Sequence, residues 1–383
     1  MKTGTTLMIM IDWFAPGFRA GGPIRSCVNL AMALQENCEI FVVTTNSDLG
    51  EDEPYREVTP DIWTDFADHV KVWYFSREGL SIQNMEALIK EINPDIVYLN
   101  SMFSVPFTVW PLWIMRKYRE LNKIILAPRG MLKPAALAYS PLKKQVYLKA
   151  MRFLGIPRKI IFHATNLEES YNVRHAFGQE THVRIAPNLP QMHQQPLHIL
   201  PKQPGKVKFA FIGRVHPYKN LLWLLQRLGK LNGHVHLSIY GPMEDEAYWD
   251  NCMEVIDGLP DHIVVTYEGG LQPEAVTEAL EGAHFHTLPT QGENFGHAIF
   301  ESFLVGRPVI ISDRTPWTDL ETEKAGWAIS LHDPEKYEKV LQQVIDMDLA
   351  TYENWAKNTW EFAANYIKNS HLKEKYLALF STI

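Results

Sequence analysis

The sequence predicts an α/β protein made of two doubly wound domains in succession. Short apolar runs alternate with helical patterns over most of the chain, the order expected of parallel sheets covered by helices on both faces. A segment with five prolines, residues 187–205, interrupts this alternation and is typical of a linker. With 383 residues, 46% of them hydrophobic, the chain is long enough to form two cores of ordinary size.

Seven strands are predicted before the linker and five after it, with helices between most of them. The first-half strands are 7–11, 39–45, 69–75, 95–99, 123–127, 160–164 and 183–187. The first-half helices are 24–35, 82–91, 107–121, 141–153 and 166–176. The second-half strands are 207–212, 235–240, 263–267, 284–288 and 308–311. The tail, from about 333 to 380, is predicted to be almost wholly helical.

These elements indicate four segments. We expect a first domain at 1–190, a linker at 191–205, a second domain at 206–365 and a closing helix at 366–383. Open sheets of this kind bind ligands outside the carboxyl ends of their strands. The loops that follow predicted strands are therefore the places to look for functional residues.

Two glutamates stand eight positions apart where a predicted strand gives way to a helix. Glu293 lies in the loop, Gly296 opens the helix and Glu301 lies about one turn inside it. A helix amino terminus carries unpaired N–H groups and a partial positive charge, which suit a diphosphate. The two carboxylates could then bind hydroxyls on either side of it, as in a nucleoside diphosphate sugar. The alternative is a pair of solvated glutamates.

A glycine and two cations follow the first strand of the second domain. Gly213 and Arg214 end that strand, and Lys219 comes five residues later at the start of a helix. The glycine permits close approach of the backbone, and the cations would neutralise charge that develops on a leaving diphosphate. The alternative is that both cations are ordinary surface side chains.

Together these two blocks resemble retaining glycosyltransferases of the GT-B fold, of the group 1, family 4 type. Residues 293–301 are similar to the E-x7-E motif of that family, and residues 209–221 to its strand–Gly-Arg–x4–Lys–Asn/Gly element. The resemblance implies two Rossmann-like domains that face a central cleft, the first binding the acceptor and the second the nucleotide sugar. It also implies a last helix that crosses back to the first domain.

The resemblance assigns roles around the glutamate pair. Glu293 and the amides near Asn294 and Phe295 would hold the sugar. Glu301 would bind the ribose hydroxyls. The helix that begins at Gly296 would receive the phosphates.

Glu293, Arg214 and Lys219 are the predicted catalytic residues. An Asp-x-Asp metal motif is not apparent after any predicted strand. Cationic side chains and a helix dipole can replace a divalent ion, so we expect catalysis without a metal or another cofactor.

Two further glycine-containing loops follow predicted strands. Gly21 and Gly22 come after the first strand and would let backbone N–H groups approach a ligand. The resemblance implies that this loop faces the donor phosphates or the acceptor, and a plain turn is the alternative. The second loop runs from Glu268 to Leu271. Its equivalents in the family contact the nucleobase through the backbone. We favour uracil over guanine.

Arg129 follows the fifth strand of the first domain, where many members of the resembling family carry a histidine. An arginine there would hold a phosphate or carboxylate of the acceptor, or pair with an acid in a structural role. His163, after the next strand, is expected to be a core histidine rather than a catalytic imidazole.

Positive charge is concentrated in residues 112–159, which hold twelve Lys/Arg and one acid, Glu120. One interpretation is a solvated basic helix. The other is a face that contacts anionic lipid headgroups or a lipid diphosphate acceptor. The net charge of the whole chain is −7 and no nucleic-acid motif accompanies the stretch, so we expect no nucleic-acid partner.

The three cysteines are scattered, which favours a reducing compartment over a disulfide framework. No run is long and apolar enough for a transmembrane helix, and no signal peptide is apparent. We therefore expect a cytoplasmic protein, peripheral on the inner face of the cytoplasmic membrane if the basic stretch binds lipid.

The expected function is hexosyl transfer from a nucleotide sugar, UDP-linked by preference and GDP-linked otherwise, to a glycan or lipid-linked acceptor with retention. The expected setting is synthesis of bacterial cell-surface polysaccharide or lipopolysaccharide. The alternatives are a nucleotide-sugar 2-epimerase of the same fold and a non-catalytic nucleotide-sugar-binding protein. The sequence does not indicate the sugar, the acceptor, the linkage or the oligomeric state.

Overall fold

The structure is a computed structural model that describes residues 4–138 and 141–381. Residues 1–3 and 382–383, at the ends of the predicted domains, and residues 139–140, inside the basic stretch, lie outside the described residues. The described chain divides into two compact units. The first comprises the chain up to Leu189 together with the segment from His371, and the second is Pro190–Ser370.

Fourteen strands occur in the described residues. They are β1 (Thr6–Met10), β2 (Glu39–Thr45), β3 (Trp63–Ala67), β4 (Val70–Phe75), β5 (Ile96–Leu99), β6 (Ile124–Leu126), β7 (Ile161–Ala164), β8 (Val183–Ile185), β9 (Lys206–Ile212), β10 (His234–Tyr240), β11 (Ile263–Gly269), β12 (Phe285–Leu288), β13 (Val309–Ser312) and β14 (Gly326–Ile329).

Thirteen α-helices accompany these strands in the same part of the chain. They are α1 (Gly22–Leu34), α2 (Ile82–Ile92), α3 (Trp110–Lys117), α4 (Pro134–Leu137), α5 (Pro141–Phe153), α6 (Leu167–Phe177), α7 (Leu221–Leu228), α8 (Glu246–Asp257), α9 (Ala275–Glu281), α10 (His297–Leu304), α11 (Pro334–Asp346), α12 (Leu349–Asn369) and α13 (Leu372–Phe380). None of them is long and apolar enough to cross a bilayer.

The first unit contains an eight-stranded sheet in the order β3-β4-β2-β1-β5-β6-β7-β8. All neighbours are parallel except β3 and β4, which pair antiparallel. The strands β2, β3 and β4 lie on one side of β1, and the strands from β5 to β8 follow one another on the other side. The topological switch point of this sheet therefore lies between β1 and β5.

The second unit contains a six-stranded parallel sheet in the order β11-β10-β9-β12-β13-β14. Its switch point lies between β9 and β12. The strands β9, β12 and β13 are largely buried, because helices cover both faces. The edge strands β3 and β14 are the two strands that the apolar runs did not predict.

The closing helix α13 belongs to the first unit. Its Tyr376 ring lies 5.3 Å from that of His163, and Phe380 packs edge-on against Tyr98 at 5.6 Å. The preceding helix, α12, continues to Asn369 and packs in the second unit, so the break between the two helices falls at Ser370.

Three buried histidines make stability dependent on pH. Burial lowers the pKa of His163 and His286 to about 3 and that of His284 to about 4. In the unfolded chain each ring binds a proton below about pH 6.5. As the pH falls from 6.5 towards 4, the unfolded state therefore gains protons that the folded state does not bind.

We expect each buried histidine to lower the free energy of unfolding by about 1.4 kcal/mol per pH unit in that window. Both ring nitrogens of His286 lack a hydrogen-bond partner in the described residues, so His286→Leu should reduce the slope. Urea denaturation as a function of pH measures this slope. His332→Gln, at an exposed position, is the control and should leave it unchanged.

Candidate active site

The predicted catalytic residues converge at the switch point of the second sheet. Gly213 and Lys219 follow β9, and Glu293 follows β12, the two strands that flank this point. Lys219 ends a short 3-10 turn, Pro217–Lys219. Residues 74 positions apart in sequence are therefore brought to one edge of one sheet.

Lys219 and Glu293 form an ion pair between Nζ and Oε1. Their side chains are only 15% and 13% exposed. The two loops are joined by backbone hydrogen bonding, because the Gln291 amide donates to the Tyr218 carbonyl at 2.8 Å. The Glu293 amide donates to the Arg314 carbonyl at 3.0 Å. The carboxylate and ammonium are thus held in place by their backbones rather than by side-chain attraction alone.

Arg214 makes a bidentate contact with Glu244, with Nη1 at 3.0 Å from each carboxylate oxygen. Sequence reasoning missed Glu244. Its signal was present, since it belongs to the loop that follows β10 at the same edge of the sheet. Gly241 opens that loop with φ +148°, and a Cβ there would lie 2.0 Å from the Gly213 carbonyl oxygen. The two loops therefore pack backbone to backbone.

Gly296 immediately precedes α10 and adopts a left-handed conformation, with φ 78° and ψ 68°. A Cβ at this position would lie 2.8 Å from Ile299 Cδ1. The loop before it is anchored by Trp317, whose Nε1 donates to the Phe295 carbonyl at 2.6 Å. Phe295 itself is buried among aromatic rings. The amino terminus of α10 is thus a rigid, positively polarised end at the switch point.

The remaining predicted residues of the second unit lie on the same edge. Glu301 is partly buried in the second turn of α10. Asn294 lies between Glu293 and the helix. Glu268 is exposed at the end of β11, and Leu271 packs partly buried against the sheet. The β11 loop is tied to the β10 loop by a 2.7 Å hydrogen bond from the Gly241 amide to the Gly269 carbonyl.

The first unit has its own polar cluster at the β1/β5 switch point. Gly21, with φ 66°, and Gly22 lie where α1 begins. Asp12 follows β1 and accepts a 2.6 Å hydrogen bond from Ser104, in the segment after β5. Burial raises the pKa of Asp12, and this hydrogen bond opposes the rise. Sequence reasoning missed Asp12 and Ser104 as a pair because the contact spans 92 residues.

Arg129 lies beside this cluster in a left-handed conformation, with φ 53°. Its guanidinium donates to the side-chain oxygens of Asn100, Asn188 and Tyr98. The direct partners are therefore neutral amides and a phenol rather than an acid. They come from two separate segments of the first unit, β5 with the residue after it and the segment that follows β8.

His163 is the core residue that the sequence predicts. It is fully buried, and its ring contacts the Tyr98 hydroxyl and the Ala186 carbonyl at 2.8 Å each. Both nitrogens are thus occupied. The ring supports the tyrosine that binds Arg129.

The second unit contains the part of the chain that matches a known protein family. The model of glycosyl transferases group 1 matches residues 206–347, which contain every predicted catalytic residue. This part of the second unit is therefore similar to glycosyl transferases group 1. The predicted resemblance is confirmed at this level. No curated protein sequence matches the chain.

Solved structures are similar to this chain over nearly its whole length. Alr3699/HepE from Anabaena, in complex with UDP and glucose, matches 99% of this chain and 100% of its own, with 14% identity and a TM-score of 0.71. Sucrose-phosphate synthase from Thermosynechococcus elongatus matches 99% of this chain and 98% of its own, with 15% identity and a TM-score of 0.67. WaaG, a glycosyltransferase involved in lipopolysaccharide biosynthesis, matches 99% of this chain and 100% of its own, with 14% identity and a TM-score of 0.61.

At such identities these likenesses show the fold alone. They confirm the predicted fold class, a GT-B protein with two Rossmann-like α/β domains.

Proposed function

We propose that the protein is a retaining glycosyltransferase that moves a sugar from a nucleotide sugar to a glycan or lipid-linked acceptor. The observation that carries the proposal is the Lys219–Glu293 pair at the β9/β12 switch point, directly before the rigid amino terminus of α10. The similarity to glycosyl transferases group 1 over the same residues supports it. Glu293 would bind the sugar, and Lys219 and Arg214 would stabilise the leaving diphosphate.

We favour UDP as the nucleotide. HepE is similar in fold and its structure contains UDP and glucose. GDP is the alternative. Glu301 would bind the ribose hydroxyls, and the loop from Glu268 to Leu271 would contact the base.

The proposed reaction is a front-face displacement. The bond from the anomeric carbon to the phosphate oxygen breaks, and a bond to the acceptor oxygen forms on the same face. The acceptor hydroxyl passes its proton to the leaving phosphate oxygen, so the products are the glycoside and a nucleoside diphosphate. Two fixed cations and a helix dipole act on the charge that develops on that oxygen. We propose that no metal is required.

The test is incubation with a panel of nucleotide sugars, followed by thermal denaturation. A ligand that binds only the folded state raises the melting temperature. We expect a UDP-sugar to give the largest shift and to release UDP once an acceptor is added. Conversion of the sugar without an acceptor would instead indicate the 2-epimerase. Binding without any turnover would indicate a nucleotide-sugar-binding protein.

Glu301→Ala should weaken UDP binding by roughly ten- to a hundredfold, because a hydrogen bond to a charged group is worth about 1.5–3 kcal/mol. Isothermal titration with UDP measures the change. Glu323→Ala, an exposed glutamate of the same unit, is the matched control. Undiminished affinity in Glu301→Ala would remove the ribose-binding role.

We further propose that α5 rests on an anionic membrane surface, which would place the protein on the inner face of the cytoplasmic membrane. Leu142, Val146 and Phe153 form an exposed apolar stripe along this helix, and Phe153 is 91% exposed. Lys149 lies on the same face of the helix, between Val146 and Phe153, and Lys143 lies about a quarter-turn to one side. An apolar stripe beside cations is typical of helices that lie in the membrane interface.

Sedimentation with phosphatidylglycerol vesicles tests this contact. The double variant Val146→Ser, Phe153→Ser should release most of the bound protein into the supernatant. Met32→Ser, at an exposed position on α1, should not. Equal binding by all three proteins would exclude α5 as the membrane face.

By analogy with WaaG, lipopolysaccharide or another cell-surface polysaccharide is the proposed product class.

A further inference from the structure

A basic groove lies at the amino ends of β6, β7 and β8, the opposite edge of the first sheet from Asp12 and Arg129. It is lined by the end of α3 with the segment after it, by residues 158–161 and by residues 174–184. Its volume is about 1400 Å³. Sites for single small molecules usually measure about 300–1,000 Å³. The groove is thus large enough for an oligomeric ligand.

Five exposed cations of the groove form no ion pair in the described part of the chain. They are Arg116, Arg119, Arg158, Lys159 and Arg184. Glu180 is the one acid among the lining residues. Like charges held around one cavity repel each other, and an anion bound between them removes that repulsion. The groove is therefore suited to a ligand with several negative charges.

Many cations of the basic stretch 112–159 lie on one of two surfaces. Lys143 and Lys149 lie on or beside the apolar stripe of α5, whereas Arg116, Arg119, Arg158 and Lys159 line the groove. The second surface is completed by Arg184, which lies outside the stretch. Phe153, the most exposed apolar residue, is not among the lining residues. The groove is thus a feature separate from the proposed membrane face.

The shape of the groove favours a discrete polyanion over a bilayer. A bilayer surface is flat and would reach only the rim of a concave site. Trp113 lines the groove with its side chain 56% exposed, which offers an apolar aromatic face to a ring stacked on it. An acidic saccharide carries anionic groups on a chain of rings, so it could contact the cations and the Trp113 ring at the same time.

We propose that this groove of the first unit binds an oligosaccharide that carries several carboxylate or phosphate groups, through residues other than those proposed for sugar transfer. The requirement for charge rests on the unpaired cations alone. The assignment of those charges to a saccharide also rests on the proposed function, since such a chain is the class of molecule that a polysaccharide-building enzyme meets.

Isothermal titration of the full chain with hexagalacturonate tests the proposal. Its neutral methyl ester, inorganic tripolyphosphate and phosphatidylglycerol vesicles are the comparison ligands. The test variant is Arg158→Gln with Arg184→Gln. The matched control is Lys71→Gln with Arg77→Gln, which removes the same charge from exposed positions of β4 and the segment after it.

We expect hexagalacturonate to bind wild type and to bind the test variant about a hundredfold more weakly, because each charge-assisted hydrogen bond contributes about tenfold or more. The control variant should bind like wild type, and the methyl ester should not bind. No binding to wild type, or an equal loss in the control, would overturn the proposal. So would tripolyphosphate binding as tightly as hexagalacturonate, or vesicle binding that depends on Arg158 and Arg184.

UDP-dependent thermal stabilisation of the same proteins separates this proposal from the previous one. The groove variant should retain the full UDP shift, since both substitutions lie in the first unit, whereas Lys219 and Glu293 belong to the second. If UDP does not raise the melting temperature of the wild-type protein, this result counts against the proposed transferase function. The hexagalacturonate titration would still show whether the groove binds a polyanion.

Discussion

Lys219→Ala is expected to lower kcat for sugar transfer by about 10²–10³-fold, the usual cost of removing one fixed group that stabilises charge in a transition state. The ammonium is mostly buried and is held against Glu293 by two joined loops, so neither water nor a neighbouring side chain can take its place without rearrangement. Its loss also leaves the Glu293 carboxylate without its cation. Steady-state kinetics of UDP release, with donor and acceptor saturating, measures the effect.

Lys230→Ala is the control for this variant. Lys230 also forms an ion pair with a glutamate, Glu338, but is largely exposed. Exposed pairs of this kind contribute about 0–1 kcal/mol to stability, so turnover and the midpoint of unfolding should both stay near wild type. Wild-type turnover in folded Lys219→Ala protein would refute the catalytic role of the pair.

Arg129→Met is expected to lower the free energy of unfolding by about 3 kcal/mol or more. The guanidinium donates to Asn100, Asn188 and Tyr98, and each buried acceptor that loses its donor costs about 1–3 kcal/mol. These acceptors belong to two separate segments, the end of β5 and the segment after β8, so the substitution disconnects these two segments. Urea denaturation measures the change.

This experiment also decides between the two roles that the sequence leaves open for Arg129. The control is Arg77→Met, an exposed arginine of the same unit. A large loss of stability in Arg129→Met alone indicates the structural role. An unchanged midpoint combined with a raised KM for the acceptor would mean instead that the guanidinium binds substrate.

The parallel strands could be predicted because burial on both faces makes them continuous apolar runs. Of the two strands that escaped prediction, β3 lacks this signature, and β14 begins with a glycine, which weakens a strand pattern. β3 is an antiparallel edge strand with Asp65 exposed, and β14 is a four-residue strand that begins at Gly326. Edge position removes the need for apolar side chains, so the pattern used for the central strands does not apply to β3.

Part of the candidate site could be predicted for the same kind of reason. Lys219 and Glu293 were placed correctly at strand ends, but their direct ion pair could not be derived, because it depends on how two loops pack. Glu244 and Asp12 were missed although both follow strands. Their importance lies in contacts with Arg214 and Ser104 that span 30 and 92 residues. Local patterns do not indicate such partners.

The basic stretch shows a different limit. Its charge could be counted from the sequence, yet cations that are close in sequence lie on different surfaces, some on α5 and others in the groove. Helical geometry and the positions of strand ends decide which cations share a surface. Arg184, outside the stretch, joins the groove for this reason.

A crystal structure with UDP bound tests the central claim most directly. We predict that the diphosphate lies at the amino terminus of α10, next to Gly296, with Lys219 and Arg214 within hydrogen-bonding or ion-pair distance of its oxygens and Glu301 on the ribose. A diphosphate bound away from the β9/β12 switch point, with Lys219 and Glu293 not contacting the ligand, would contradict the account.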